Sequence, residues 1–303
     1  MKINKMSKKD LTNIIASKHL GKKSIGCEQY DSSLLVAIPR ELNRIQYEIE
    51  NDNLPFFGSD IWHCYEFSTM TENNLPISRV LKLKYDCNSE FLVESKSLKL
   101  YLNSFNMSCF GKSIEECLEI CLEKIQNDLS DVLKTQVFAY FLDNQKIEIF
   151  EKFENILNFV DENNLKIEKF EEAPELLKIK EKEEKEYYLK FDSLRSNCRV
   201  THQPDFGDIF IYYKSKKHIL ESSLIQYLCS FRKEYHFHEE CVEMIYKRLS
   251  DILNKNDELF VCALYTRRGG IDINPIRYSK NCTIKDYLDL KNIQKFARYG
   301  NKQ

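Results

Sequence analysis

The sequence contains no CxxC pair, no GxGxxG, no GxxxxGK[ST] and no HExxH. These absences exclude zinc ribbons, Rossmann and P-loop nucleotide sites, and zinc proteases of the usual pattern. No run of 18 apolar residues occurs, and the basic start MKINKMSKKDLTNII meets neither an apolar segment nor a small-residue cleavage site. A spanning helix, a secretory signal and a membrane partner are therefore not expected. Positive charge is not in excess, because 45 Lys and Arg stand against 47 Asp and Glu. Proteins that bind duplexes leave a basic balance in their composition, so direct contact with nucleic acid is not expected either. Only 8 Gly and 6 Pro occur in 303 residues, which excludes collagen-like and linker-like chains.

What remains is 43% hydrophobic and 12% aromatic, enough material for about two packed domains. Eleven cysteines, an odd number without regular spacing, form neither a disulfide framework nor a zinc set. They read as small hydrophobes in a reducing cytoplasm. His236, His238 and Cys241 lie close together, but their spacing fits no metal set, and no metal is expected.

The stretch 171–187, EEAPELLKIKEKEEKEY, is charged and contains Pro174; it reads as a linker or exposed connecting helix between units 1–170 and 188–303. In the first unit, Val80 to Asp86 alternates as a strand, and Ser113 to Leu133 carries apolar residues at helical spacing. QVFAYF and KIEIF follow as strands. The second unit repeats this order with DIFIYYK, HEECVEMIYKRLSDIL, LFVCALY and IDINPI.

The two units also align residue by residue. SLKLYLNSF lies over SLIQYLCSF, Glu115-Glu116-Cys117 over Glu239-Glu240-Cys241, and Val137, Ala139, Ile147 and Ile149 over Val261, Ala263, Ile271 and Ile273. The chain is an internal duplication. Each copy reads ββααββ, a four-stranded antiparallel sheet carrying two helices, which makes the fold class α+β, and two such units side by side let helices cover one face of a longer sheet.

Residues that differ between the copies are the candidates for chemistry. SNCRVTHQPDFGD, from Ser196 to Asp208, has no counterpart in the first unit. Pro204 and Gly207 point to a turn between strands, so Cys198 and Asp205 can face one cavity. A thiol is a strong nucleophile once its anion is stabilised, and a buried carboxyl can hold a proton for delivery. The same residues also fit a buried thiol and a turn residue, and His202 fits either a base or a strand end. In VESKSLKLY, from Val93 to Tyr101, Ser95 reads as a helix N-cap with Lys96 and Lys99 in the following turns, an arrangement that suits phosphate as well as solvent. His238-Glu239 stands where the first copy has Ile114-Glu115, and TRRGG where it has LDNQK. A carboxylate matches the paired N–H edge of a guanine-like ring, while Arg267 and Arg268 form a hairpin tip able to close over a phosphate.

Taken together, SNCRVTHQPDFGD, VESKSLKLYLNSFNM, SFRKEYHFHEECV and YTRRGGIDINP resemble the long, two-module form of the NADPH-dependent 7-cyano-7-deazaguanine reductases, in the same order and from about Gly58 to Pro275. The resemblance implies a tandem tunnelling fold, NADPH as cofactor, and reduction of a nitrile to an amine in queuosine biosynthesis. It implies Cys198 as the nucleophile that forms a thioimide and Asp205 as the proton donor. Val93, Glu94, Ser95, His238 and Glu239 match positions that hold the deazaguanine. Ser95, Lys96, Arg268 and Gly269 match those that hold NADPH, and a homodimer is implied as well. Phe206 departs from the family by standing in place of a tryptophan, and 68–80 also differs from the usual sequence. A related pterin cyclohydrolase would carry a zinc set, which is missing, and a catalytically dead scaffold would have lost Cys198 or Asp205.

Overall fold

The computed structural model describes residues 29–142, 152–161 and 165–284. The strand expected at KIEIF lies outside them.

In chain order the elements are β1 (Ala37–Pro39), α1 (Glu41–Arg44), β2 (Phe57–Met70), β3 (Pro76–Asp86), β4 (Phe91–Val93), α2 (Ser95–Asn103), α3 (Ile114–Leu133), β5 (Val137–Phe141) and β6 (Glu154–Asn155). The second half continues with β7 (Ile179–Asn197), β8 (Pro204–Ile219), α4 (Glu221–Ser230), α5 (His238–Ile252), β9 (Glu258–Tyr265) and β10 (Ile271–Tyr278). The two halves are fused into one sheet of order β5-β3-β2-β10-β9-β8-β7-β6, antiparallel apart from the short β6–β7 pair. The join is the β2–β10 ladder, which runs from Ile271 opposite Cys64 to Tyr278 opposite Phe57.

Alternation along the strands assigns the two faces. In the first half Trp62, Cys64, Leu81, Leu83, Tyr85, Val137 and Ala139 pack with Leu98, Tyr101, Cys117, Cys121 and Ile125 of the helices. In the second half Ile209, Ile211, Val261 and Ala263 meet Leu224, Val242, Ile245 and Leu249 in the same way. Cys117 and Cys241 occupy the fourth residue of α3 and α5 respectively, and both are fully buried. The duplication is thus visible in packing. On the other face, Ile61, Phe210, Tyr212, Phe260, Cys262 and Leu264 form a separate apolar cluster.

Helix starts follow local chemistry. The Ser113 hydroxyl accepts from the Glu116 amide at 3.1 Å, and Glu115 and Glu116 fill the first turn of α3, where negative charge is favoured. At α2 the cap is Glu94 rather than the expected Ser95. Its longer side chain reaches the amides of Lys96 at 3.0 Å and Ser97 at 2.7 Å. That helix start is consequently filled by a carboxylate and does not offer its amides to a phosphate.

The charged stretch read as a linker also differs. Residues 179–187 form the first half of β7, paired with β8, with Glu181 opposite Lys217 and Glu186 opposite Lys214. Charge alone reads as a connector, but cross-strand pairs of opposite sign let a solvated ladder form. Most of these side chains are exposed, so no apolar alternation marked the strand in the sequence.

Candidate active site

The turn between β7 and β8 is closed by the Cys198 amide donating to Gln203 O at 2.8 Å and the His202 amide donating to Cys198 O at 2.9 Å. His202 takes a left-handed conformation, φ 58°, and so serves the turn. Cys198 follows directly on β7 and is buried, while Asp205 faces Ser196 across the ladder. The spacing of the two residues in the sequence therefore becomes proximity at one end of a hairpin. Arg199 pins this turn to the start of α5: its guanidinium lies 3.0 Å from Glu240 and 3.1 Å from Asn43 Oδ1.

Asp205 is buried, and each of its oxygens is engaged. Arg268 Nη1 lies 2.9 Å from Oδ1, and His238 Nε2 lies 3.4 Å from Oδ2. The His238 ring is stacked on Tyr265 with centroids 3.8 Å apart and planes 4° apart, which fixes the imidazole toward Asp205. Its Nδ1 has no hydrogen-bond partner among the described residues. His236, by contrast, is taken up by Glu234 at 2.9 Å, Tyr47 at 3.2 Å and Arg199 at 3.2 Å, a structural role.

Glu239, the second residue of α5, is 1% exposed, and its Oε1 is unpartnered among the described residues. Burial pushes its carboxyl up to about 8, with the negative charge of Asp60 adding to the effect and Arg40 and Arg277 opposing it. A buried acceptor without a donor costs free energy unless a ligand completes it. Beneath Glu239 lies a charge network absent from the sequence reading. Asp60 bonds Arg40 and, at 2.8 Å, Arg277; Glu243 bonds Arg44 at 2.7 Å and Arg277 at 3.0 Å. Asp60 and Arg277 are fully buried, and Arg40, Arg44 and Glu243 nearly so. The available signal was a charge inside each apolar strand motif, Asp60 in GSDIW and Arg277 in NPIRY.

Tyr85 ties the halves together, for its buried hydroxyl, without a hydrogen-bond partner among the described residues, lies close to the Val93 backbone and within electrostatic reach of Glu239 and Asp60. Arg40 sits 5.7 Å from the centre of its ring. Val93 of the first half and Glu239 of the second thus border one region. Glu94 holds α2 as described, and Ser95 is half-buried beside it.

The β9–β10 turn brings the other motifs together. Gly269 and Gly270 have φ of 60° and 79°, and a Cβ on Gly269 would lie 3.4 Å from Lys99 Nζ. Lys99 pairs with Glu66 at 3.2 Å, and Arg267 lies 4.4 Å from the centre of the Tyr65 ring. Arg267, Arg268 and Lys96 are exposed. Lys99, not Lys96, is the lysine for which contact with the glycine turn is defined.

Residues 27–141 match the family model described as "Nitrile reductase, 7-cyano-7-deazaguanine-reductase N-term", and residues 204–283 match "QueF-like protein". The chain is 39% identical over 267 residues to the NADPH-dependent 7-cyano-7-deazaguanine reductase of Colwellia psychrerythraea, covering 86% of this chain and 91% of that protein. The chain belongs to the 7-cyano-7-deazaguanine reductase family. It is accordingly an α+β tunnelling-fold oxidoreductase with NADPH as its cofactor. The cationic turn suits an anionic dinucleotide, because Arg267, Arg268 and Lys99 gather at the exposed Gly269, while the Glu66 carboxylate stands against the buried Gly270. Among the described residues no helix is long and apolar enough to cross a membrane.

Proposed function

We propose that the protein reduces the nitrile of 7-cyano-7-deazaguanine to 7-aminomethyl-7-deazaguanine, with two NADPH, through a thioimide on Cys198, as a step of queuosine biosynthesis. The observation that carries this reading is the convergence of Cys198, Asp205, His238 and Glu239 on one end of the β7–β8 hairpin and the start of α5. Glu239 accepts from the N–H edge of the base, with Val93, Glu94, Ser95 and His238 around it. A completed pair of such hydrogen bonds discriminates by about 1–3 kcal/mol.

Cys198 Sγ then adds to the nitrile carbon. The S–H bond and one C–N π bond break, the S–C bond forms, and Asp205 passes the proton given up by the thiol to the nitrogen, so the thiol S–H has added across the triple bond with no change of oxidation state. Covalent capture makes an unreactive nitrile reducible. Bound NADPH, held by Ser95, Lys96, Arg268 and Gly269, supplies one hydride at each of two reductions. After the first, the C–S bond breaks and Cys198 leaves, taking up a proton from solvent to return as the thiol. The resulting imine takes the second hydride and a proton to become the amine. The reading places the enzyme in the cytoplasm as a homodimer of chains built from units 1–170 and 188–303.

With 7-cyano-7-deazaguanine as substrate, two NADPH are expected to be oxidised per amine formed, and Cys198→Ala is expected to oxidise none while keeping the circular dichroism of the parent. Continued NADPH oxidation by a folded Cys198→Ala protein would overturn the covalent route.

A further inference from the structure

Tyr85 lies in β3, directly opposite Asp60 of β2 in the ladder, and is 1% exposed. Its ring belongs to the core of the first half, and the Arg40 guanidinium sits 5.7 Å from the ring centre. The hydroxyl nevertheless has no hydrogen-bond partner among the described residues. The carboxylate opposite it is closed, because Asp60 Oδ1 takes Arg277 at 2.8 Å and Oδ2 takes Arg40. Burial holds the phenol well above its usual range, so the group stays protonated and able to donate. Glu239 Oε1, within electrostatic reach, is buried and unpartnered as well. A donor of the first half and an acceptor of the second thus stand near each other without bonding each other. Buried orphans of both kinds are costly, and one ligand that sets an acceptor beside a donor satisfies the two together.

We propose that Tyr85 is a specificity-determining residue of the base site: its hydroxyl donates to the ring carbonyl of the deazaguanine while Glu239 accepts from the N–H beside that carbonyl. A lactam edge offers the acceptor and the donor that this pair lacks, whereas an adenine-like edge, with an amino group beside a bare ring nitrogen, offers them in the reverse order. The assignment rests on the proposed substrate and not on the thioimide, since the contact is made by the ring rather than by the nitrile. A hydrogen bond to the ring that is equal before and after capture tightens binding and leaves the chemical step alone, so Tyr85→Phe is expected to raise KM and keep kcat.

The test uses the full chain carrying Cys198→Ala, in which binding is read by calorimetry without capture. The ligands are 7-cyano-7-deazaguanine and its 6-thio analogue, which keeps the N–H and puts a poor acceptor in place of the carbonyl oxygen. The Cys198→Ala protein is expected to bind the thio analogue about tenfold more weakly than the parent base. Adding Tyr85→Phe is expected to weaken binding of the parent base about tenfold and to bring the two ligands within about twofold of each other. Because the hydroxyl is unpartnered in the folded chain, the urea midpoint is expected to stay or rise on Tyr85→Phe. A Tyr85→Phe protein that binds the base as tightly as its parent, or that keeps the preference for oxygen over sulfur, overturns the assignment. So does a lowered urea midpoint with an equal loss for both ligands, which is the mark of a structural role. A Cys198→Ala protein that binds neither ligand instead overturns the reading of the site as a deazaguanine pocket.

Discussion

Glu239 gathers most of the physical tension in the site into one side chain. It is buried on α5 with an oxygen left unpartnered among the described residues, and its carboxyl is pushed up to about 8 by burial first and by Asp60 second. A carboxyl raised in the folded state contributes stability that is complete below its unfolded value near 4.5 and is lost as pH rises toward 8. The wild type is therefore expected to lose more urea resistance than Glu239→Gln between about pH 4.5 and about pH 8. Parallel pH profiles for the two proteins would show that the carboxyl is ionised throughout. Cys198, Asp205 and His238 were legible in the sequence because each breaks the correspondence between the two copies, whereas Glu239 matches Glu115 of the first copy and was legible only beside His238. Asp60, Arg40, Arg44 and Arg277 were not, since pairing of buried charges is a property of packing between segments far apart in the chain. Within that network, single deletions leave an uncompensated buried charge at a cost of about 3–5 kcal/mol.

Among the elements, the helices were read most closely and the longest strand least. α3 begins where Ser113 and the apolar spacing place it, and α5 begins at His238. The first half of β7 escaped notice because its residues are solvated and carry charge where a core-facing strand carries apolar alternation. The cap of α2 was misplaced by one residue, from Glu94 to Ser95, since serine is the commoner cap and only the fold shows the glutamate reaching back. The ladder that joins the halves depends on Gly58 of β2, where a Cβ would stand 1.8 Å from the carbonyl oxygen of Ile276 and φ is 155°. That neighbour is backbone within a paired strand and cannot move aside cheaply. Gly58→Ala is expected to destabilise the fold by roughly 3 kcal/mol or more, read as a lowered urea midpoint. Unchanged stability would mean that β2 and β10 tolerate a shifted register.

At the scale of the whole molecule, duplication produces one continuous sheet whose helices cover a single face in both halves. In the proposed reaction the copies divide the labour. The first half supplies Val93, Glu94 and the Lys99 ammonium, and the second supplies Cys198, Asp205, Glu239 and the glycine turn against which Lys99 rests. The β2–β10 ladder joins the two halves of the sheet, and under the proposed function it is what lets residues more than a hundred positions apart serve one site. The repeat order was legible in the sequence because the two copies still align. The longer sheet followed from setting two such units side by side, but the strands that join it, β2 and β10, did not, because strand pairing between copies leaves no mark on either one alone. The most direct test of the account is the intact mass of the protein after incubation with 7-cyano-7-deazaguanine and no reductant, beside Cys198→Ala. The account predicts a gain of one nitrile mass in the wild type, none in the alanine variant, and loss of the adduct when NADPH is added. An unchanged wild-type mass, or an equal gain in both proteins, would contradict it.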